Sequence, residues 1–147
     1  MNAELGGEFL DTNVLVYALD ASAGAKHAAA RALVERLWAD GRGRLSVQVL
    51  QEFYAVVTCK LPQPLTSEEA EARIAEFATW RVYAPAAEDV VEAIRLQRRE
   101  RLSFWDAMIV LAAYGAGCDV LWTEDLQAGR RIGGVTVRNP FAEAGSR

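Results

Sequence analysis

Two acidic residues follow short apolar runs, at points where buried strands are expected to end. Asp11 ends one such run and precedes Thr12 and Asn13, and Asp125 lies just beyond the run at residues 120–122. In parallel α/β sheets, ligands bind at the carboxyl ends of the strands. Carboxylate oxygens at that edge are ligands that Mg²⁺ and Mn²⁺ prefer.

Two further acids, Glu52 and Asp106, lie on helical patterns. Glu52 is one helical step from Val49 and from Val56, at the border of an apolar helical face. Asp106 comes three residues after Ser103, at the start of an apolar helix. Alternating strands and helices bring such positions toward one edge of a sheet.

Each acid also has an ordinary structural explanation. Asp11 can cap the helix that follows it, and Ser103 with Asp106 fits a capping box. Glu52 can be a solvated border residue, and Asp125 can cap a short C-terminal helix. These alternatives stay open for each acid taken singly.

Placing the four acids together adds an electrostatic repulsion that a single acid does not have. Carboxylates about 6 Å apart repel by roughly 2–3 kcal/mol per pair at an effective dielectric constant of about 20. Six such pairs rival the whole stability of a domain, about 5–15 kcal/mol. No lysine adjoins any of the four acids in the sequence. A bound cation is the simplest counter-charge, and a site without His or Cys suits Mg²⁺ or Mn²⁺ rather than zinc.

The elements that must position these acids alternate along the chain. We predict strands at residues 9–11, 44–47, 81–83, 120–122 and 135–137. Helical patterns occupy residues 14–19, a stretch ending at Gly41, 48–60, 66–79, 87–101 and a stretch that opens at Ser103. This order predicts an α/β fold, with a parallel sheet of about five strands and helices on both faces. No linker or repeat divides the chain, so we expect a single domain over residues 1–147.

Composition limits the classes of function. A net charge of −4 and a pI of about 5.1 exclude a basic nucleic-acid coat, so nucleic acid must be held by a local patch or through metal. Residues 1–8 show no signal-peptide pattern, and the longest apolar run, residues 107–114, is too short to span a bilayer. We expect a cytoplasmic protein without membrane contact. Cys59 and Cys118 are expected to be reduced and mostly buried.

Five blocks of sequence carry a resemblance to a known family. They are FLDTN at 9–13, SVQVLQEF at 46–53, SFWDA at 103–107, LWTEDL at 121–126 and RNPF at 138–141. The first four resemble the acidic motifs of PIN-domain nucleases, most closely those of VapC-like toxins of type II toxin–antitoxin systems. RNPF is similar to the usual ending of that family.

The resemblance implies a fold, an activity and partners. The fold is a three-layer α/β/α domain, and the activity is a Mg²⁺- or Mn²⁺-dependent endoribonuclease. The metal ligands and catalytic residues are Asp11, Glu52, Asp106 and Asp125, although the adjacent Glu124 leaves an ambiguity. A small antitoxin is expected to cover the site with a basic residue, and the toxins are usually homodimers. Supporting roles at the carboxylates, waters or phosphate fall to Thr12, Asn13, Ser46 and Thr123, each of which can instead be a turn or cap residue.

Several other side chains have two interpretations. Trp105 either packs in the core or stacks on a base. His27, the only histidine, is expected to be exposed rather than a general base. A candidate RNA-backbone patch, or else a solvated helix end, consists of Arg95, Arg98, Arg99 and Arg101.

Apolar spacing also predicts which helix faces are buried. The helix ending at Gly41 should bury Ala30, Leu33, Val34, Leu37 and Trp38. The helix at 48–60 should bury Leu50, Phe53, Tyr54 and Val57. Residues 108–114 are apolar all round, so we expect that helix to be substantially buried.

Two rival functions remain at this point. The first is an RNA-binding scaffold of the same fold that does not cut, against which the intact acidic quartet argues. The second is an aspartyl phosphatase with Asp11 as nucleophile. That chemistry in its familiar form requires a second acid two residues later, where this chain has Asn13.

Overall fold

A computed structural model describes residues 6–145, with side chains described through Ala142. The strands are β1 Gly7–Leu10, β2 Gly43–Ser46, β3 Arg81–Tyr83, β4 Cys118–Trp122, β5 Arg131–Ile132 and β6 Val135–Arg138. The helices are α1 Thr12–Leu19, α2 Ala25–Asp40, α3 Val47–Val57, α4 Ser67–Phe77, α5 Ala87–Glu100, α6 Phe104–Gly115 and α7 Pro140–Gly145, with a 3₁₀ turn at Ala21–Ala23. The ends of the predicted domain, residues 1–5 and 146–147, lie outside the described residues.

The strands form one sheet in the order β3-β2-β1-β4-β6-β5. All neighbouring strands are parallel except β5 and β6. The chain builds outward from β1 in one direction through β2 and β3, and then in the other through β4 and β6. The gap beyond the carboxyl ends of β1 and β4 is therefore a topological switch point, where open α/β sheets bind their ligands.

The α/β class is confirmed, with helices in two groups. Helices α5 and α6 pack on each other, and α6 also contacts strands β2, β4 and β6. Helices α1, α2 and α7 form the second group, which α3 joins by packing on α1 and α4 joins by packing on α3. The sheet has six strands rather than about five, because the two-residue strand β5 pairs antiparallel with β6. A strand of two residues is too short to give a periodic signal in the sequence.

Strand β1 is buried along its whole length, as expected for a central strand of a parallel sheet. Its acid, Glu8, is satisfied inside the fold. Arg36 Nη2 donates to Glu8 Oε1 at 2.8 Å, Trp122 Nε1 donates to the same oxygen at 2.8 Å, and Arg42 lies 3.3 Å away. Burial acts to raise the pKa of Glu8, but these hydrogen bonds and positive charges outweigh it and lower the pKa.

Several predicted helix faces differ from the structure. Trp38 is 45% exposed and Tyr54 is 39% exposed, while Val49 is buried in place of Leu50. Apolar residues surround much of α3, so spacing alone did not define its inner face. Trp38 packs edge-on against Trp80 at a centroid distance of 5.3 Å, at the rim of the core.

Helix α6 is substantially buried along residues 107–113, as its all-round apolar character predicts. Its inward residues are Ala107, Met108, Ile109, Val110, Ala112 and Ala113. Its two ends expose large rings, because Trp105 is 62% exposed and Tyr114 is 64% exposed.

Of the cysteines, both free, Cys118 is buried as expected, but Cys59 is exposed. Across residues 6–145, no helix is both long and apolar enough to cross a membrane.

Candidate active site

Asp11 lies between the end of β1 and the start of α1, and its side chain is only 6% exposed. One carboxylate oxygen accepts from the backbone N–H of Thr12 at 2.7 Å, and the other accepts from Thr123 Oγ1 at 2.8 Å. The first bond means that Asp11 does cap α1. Because its second oxygen binds a residue at the end of β4, capping does not fully explain the position.

Thr123 joins the two central strands at this edge. Its hydroxyl donates to Asp11 and accepts from Asn13 Nδ2 at 3.2 Å and from the backbone N–H of Asp125 at 3.0 Å. These three bonds use the full hydrogen-bonding capacity of a hydroxyl group. The side chain is completely buried. Thr123 therefore fixes the Asp11 carboxylate and the backbone of Asp125 relative to each other.

Asp125 is oriented by Asn13, whose Nδ2 donates to Asp125 Oδ2 at 3.0 Å. Both amide hydrogens of Asn13 are thus used, and its buried Oδ1 has no hydrogen-bond partner within the described residues. The loop around Asp125 contains no helix. The alternative that Asp125 caps a C-terminal helix is therefore wrong.

Glu52 lies on α3, half-buried, with both carboxylate oxygens held. Thr12 Oγ1 donates to Oε1 at 2.7 Å, and Gln48 Nε2 donates to Oε2 at 3.2 Å. Gln48 also reaches the Trp105 carbonyl at 3.4 Å, which links α3 to the start of α6. Glu52 is therefore not a freely solvated border residue. The sequence interpretation did not identify Gln48, although its i−4 position on the same helix could have suggested it.

Asp106 lies within electrostatic range of Asp125 but outside the hydrogen-bond network of the other acids. The backbone N–H of Asp106 donates to Ser103 Oγ at 3.1 Å, so Ser103 caps α6. Within residues 6–145 the Asp106 carboxylate makes no hydrogen bond, and the reciprocal half of a capping box is missing. The cap interpretation therefore accounts for Ser103 but not for the carboxyl group of Asp106.

Glu124 binds different partners from those of its neighbour Asp125. Lys26 Nζ lies 2.8 Å from Glu124 Oε1, and the hydroxyl of Tyr17 donates to Oε2 at 3.0 Å. Lys26 also lies over the rings of Tyr17 and Phe141, with centroid distances of 5.0 and 5.5 Å. Because Glu124 has these partners and Asp125 has Asn13, the geometry favours Asp125 as the acid of the cluster.

Burial and mutual repulsion perturb the acids. Desolvation raises the pKa of Asp11 to about 7 despite its hydrogen bonds, and the charges of Asp125 and Glu52 add to the increase. Desolvation also raises the pKa of Asp125, with the charges of Glu124, Asp106 and Glu52 contributing. Asp125 is thus within electrostatic range of Asp11, Glu52 and Asp106, and Asp11 is also within range of Glu52. Along the described chain, none of them takes part in a salt bridge.

The donor chemistry of the cluster fits a hard divalent cation, because it offers carboxylate oxygens and the unpaired amide oxygen of Asn13. The ligands are not preassembled. Among the described residues, no group of three or more His, Cys, Asp or Glu side chains is arranged to hold an ion. Binding an ion to this cluster would require side chains to rearrange.

The remaining predicted side chains fall into two groups. Ser46 is buried and caps α3 through the backbone N–H of Val49 at 3.3 Å, so the structure places it in a cap. His27 is half-buried rather than exposed, and its Nδ1 lies 2.9 Å from the Tyr17 carbonyl oxygen. The predicted basic patch is exposed on and after α5, with Arg95 paired to Glu92 and Arg99 to Glu100, and with Arg98 and Arg101 lacking a carboxylate partner in the described region.

Comparison with known proteins places this arrangement in a family. The sequence matches the family model of the PIN domain over residues 9–132. The chain belongs to the PIN domain family. The family expected from the acidic blocks is thus confirmed. No curated protein matches the chain by sequence.

Solved structures with a similar fold include PIN toxins. VapC20 of Mycobacterium tuberculosis, a sarcin–ricin loop cleaving toxin, is 20% identical with a TM-score of 0.59, over 78% of this chain and 87% of that chain. A toxin–antitoxin complex from Klebsiella pneumoniae is 18% identical with a TM-score of 0.66, over 91% of this chain and 98% of that chain. DNA-bound VapBC from Salmonella typhimurium is 20% identical with a TM-score of 0.63, over 92% of this chain and 99% of that chain. At these identities the likeness establishes the fold of this PIN domain.

The raised pKa of Asp11 makes the stability of the metal-free PIN domain depend on pH. In the unfolded chain Asp11 ionises near 3.8, whereas in the fold it keeps its proton up to about 7. The unfolded state therefore binds fewer protons across this range, and the free energy of unfolding should fall with rising pH, by ~4 kcal/mol in all. Asp11→Asn removes this loss. Denaturant unfolding in EDTA should show that the free energy of unfolding of the variant increases relative to that of the wild type between pH 4 and pH 8. A constant difference between the two proteins across this range would contradict the prediction.

Asp106→Asn distinguishes a cap from a member of the acidic cluster. The metal-free variant should be at least as stable as the wild type, because it removes repulsion with Asp125 and breaks no hydrogen bond. The matched control is Ser103→Ala, which removes the cap seen in the structure and should cost about 1 kcal/mol. Thermal melts in EDTA compare the three proteins. Equal losses in both variants would mean that the Asp106 carboxylate stabilises the helix end.

Proposed function

We propose that this PIN domain is a Mg²⁺- or Mn²⁺-dependent endoribonuclease and the toxin of a toxin–antitoxin pair. The observation that carries the proposal is the buried Asp11 carboxylate, linked through Thr12 to Glu52 and through Thr123 to Asp125 without a cationic partner in the described residues. A protein that keeps a destabilising charge cluster at a ligand-binding edge of its sheet gains most when a cation occupies it. The ribonuclease relative VapC20 supports RNA as the substrate.

The proposed roles follow from the contacts of each acid. Asp11, Asp106 and Asp125 would hold one or two ions, directly or through water, and Glu52 would bind a second ion or orient the attacking water. A bound divalent cation would supply charge stabilisation for the phosphate and a lower pKa for a water molecule. Asn13 would contribute its unpaired Oδ1 as a further oxygen ligand.

The polar neighbours would keep the carboxylates in place during the reaction. Thr12 holds Glu52 Oε1, and Thr123 holds Asp11 Oδ2, each through a hydroxyl hydrogen bond shorter than 3 Å. Side chains that orient metal ligands in this way affect metal affinity almost as strongly as the ligands themselves. Ser46 has no such contact with the acids in the described part of the chain, so we assign it no role beyond its cap.

The purified protein should cut single-stranded or looped RNA in Mg²⁺ or Mn²⁺, and EDTA should stop the cleavage. Asp11→Asn should lower the rate by at least ~10²-fold, the scale lost when a charge-stabilising group is removed. Asp125→Asn should behave similarly, whereas Glu124→Gln should keep most of the activity because Lys26 and Tyr17 engage Glu124 outside the cluster. Cleavage of a labelled RNA by each variant measures this, and an undiminished rate for Asp11→Asn would overturn the assignment.

We further propose that a small antitoxin docks in the groove beside the acids and that the toxin forms a homodimer. The groove has a volume of about 560 Å³ and runs from the acidic site along α1 and α3. Its site end is lined by Thr12, Asn13 and Glu52, and its far end by the apolar residues Val16, Val56 and Leu61 together with Lys60. A peptide with apolar side chains and one arginine would match both ends, because guanidinium pairs well with carboxylates.

The groove can be tested with a paired substitution. Leu61→Arg should prevent a small partner encoded beside this gene from co-purifying, because it replaces an apolar contact residue of the groove with a second large cation beside Lys60. Val91→Arg is the matched control, since Val91 is a 49% exposed apolar residue on α5, away from the groove. Pull-down followed by mass spectrometry provides the readout. A native chain that purifies alone, active and harmless to its host, would count against a toxin.

A further inference from the structure

Trp105 is a large exposed ring immediately beside the acidic cluster. It is the second residue of α6, directly before Asp106, and it is 62% exposed. One side of the indole is supported by Phe104, whose ring lies edge-on with a centroid distance of 5.0 Å. The side chain is therefore anchored by a neighbour and yet keeps an accessible surface.

The backbone of Trp105 is tied to the site by Gln48. The side-chain amide of Gln48 donates both to the Trp105 carbonyl at 3.4 Å and to Glu52 Oε2 at 3.2 Å. A single side chain thus links the backbone that carries the exposed ring to one of the acids. A substrate held at the acids would have its adjoining groups within reach of this ring.

Exposed positive charge without an ion-pair partner in the described residues precedes Trp105 in the chain. Arg101 and Arg98 make no ion pair in residues 6–145. Arg101 is four residues before Trp105, so the two Cα atoms are at most ~14 Å apart, roughly the rise of four stacked nucleotides at about 3.4 Å each. Arg101 and Trp105 are therefore close enough for one short RNA segment to contact both.

We propose that Trp105 is a stacking platform for an unpaired nucleobase of the RNA next to the phosphodiester that is cut, with Arg101 contacting a neighbouring phosphate. This inference rests on the proposed ribonuclease function. An aromatic ring stacks on every base, so this contact selects unpaired strands rather than a sequence. Bases inside a duplex have no free face for the ring, and duplex RNA would lack the contact.

Equilibrium binding of a short labelled single-stranded RNA tests the platform, measured by anisotropy in Mg²⁺ in an Asp11→Asn background that prevents cleavage. Trp105→Ala should weaken binding by ~5- to 150-fold, the range measured for one stacked base. Trp105→Phe should restore most of the affinity, because it keeps a ring. Intrinsic fluorescence should be quenched by RNA in the parent and much less in Trp105→Phe.

Tyr114→Ala is the matched control, since Tyr114 is 64% exposed on the same helix, nine residues or ~13.5 Å further along. Its RNA affinity should equal that of the parent. Equal affinities of the parent and Trp105→Ala, or equal losses in Trp105→Ala and Trp105→Phe, would overturn the platform and leave the ribonuclease assignment intact. Unchanged RNA binding with loss of a protein partner would assign Trp105 to a protein interface instead. A parent chain that neither binds nor cuts RNA would overturn both proposals.

Discussion

The site depends on a buried carboxylate that the protein does not neutralise. Glu8 and Asp11 lie three residues apart on and just after the same central strand, and both are almost inaccessible. Glu8 is paired with Arg36 and Arg42, and its pKa is lowered. Asp11 accepts hydrogen bonds only from the backbone N–H of Thr12 and the hydroxyl of Thr123 among the described residues, and its pKa is raised to about 7. The fold can thus supply arginines to a buried acid, and at Asp11 it does not.

The surrounding structure keeps the Asp11 carboxyl group in a fixed place. Because β1 lies between β2 and β4, Asp11 meets Thr123 at the switch point of the sheet, and the first residues of α1 turn toward the same edge. Uncharged donors fix direction without cancelling charge, so they preserve the attraction of the site for a cation. Under the proposed function, stability given up in the metal-free fold would be regained when a cation binds the folded state.

Sequence reasoning succeeded where the signal was local and failed where it was not. Asp11 and Asp125 were placed correctly because an apolar run ending in polar residues marks a strand end. Lys26 was missed because its partner Glu124 is 98 residues away in the chain. Trp105 was ambiguous because an apolar helix start does not reveal which neighbours cover it. Its exposure depends on how α6 packs in the fold, and the spacing of apolar residues does not reveal that packing.

Lys26 shows how an acidic protein can limit its own repulsion. The chain has only two lysines, and this one pairs with a fifth acid, Glu124, whose charge already raises the pKa of Asp125. The rings of Tyr17 and Phe141 beneath the ammonium group hold the pair in place. The Lys26–Glu124 pair thus reduces the repulsion that a fifth acid adds to the four. A protein of net charge −4 has little long-range attraction for a polyanion. Under the proposed function, its hold on RNA must therefore come from cations at the acids, local arginines and uncharged stacking on Trp105.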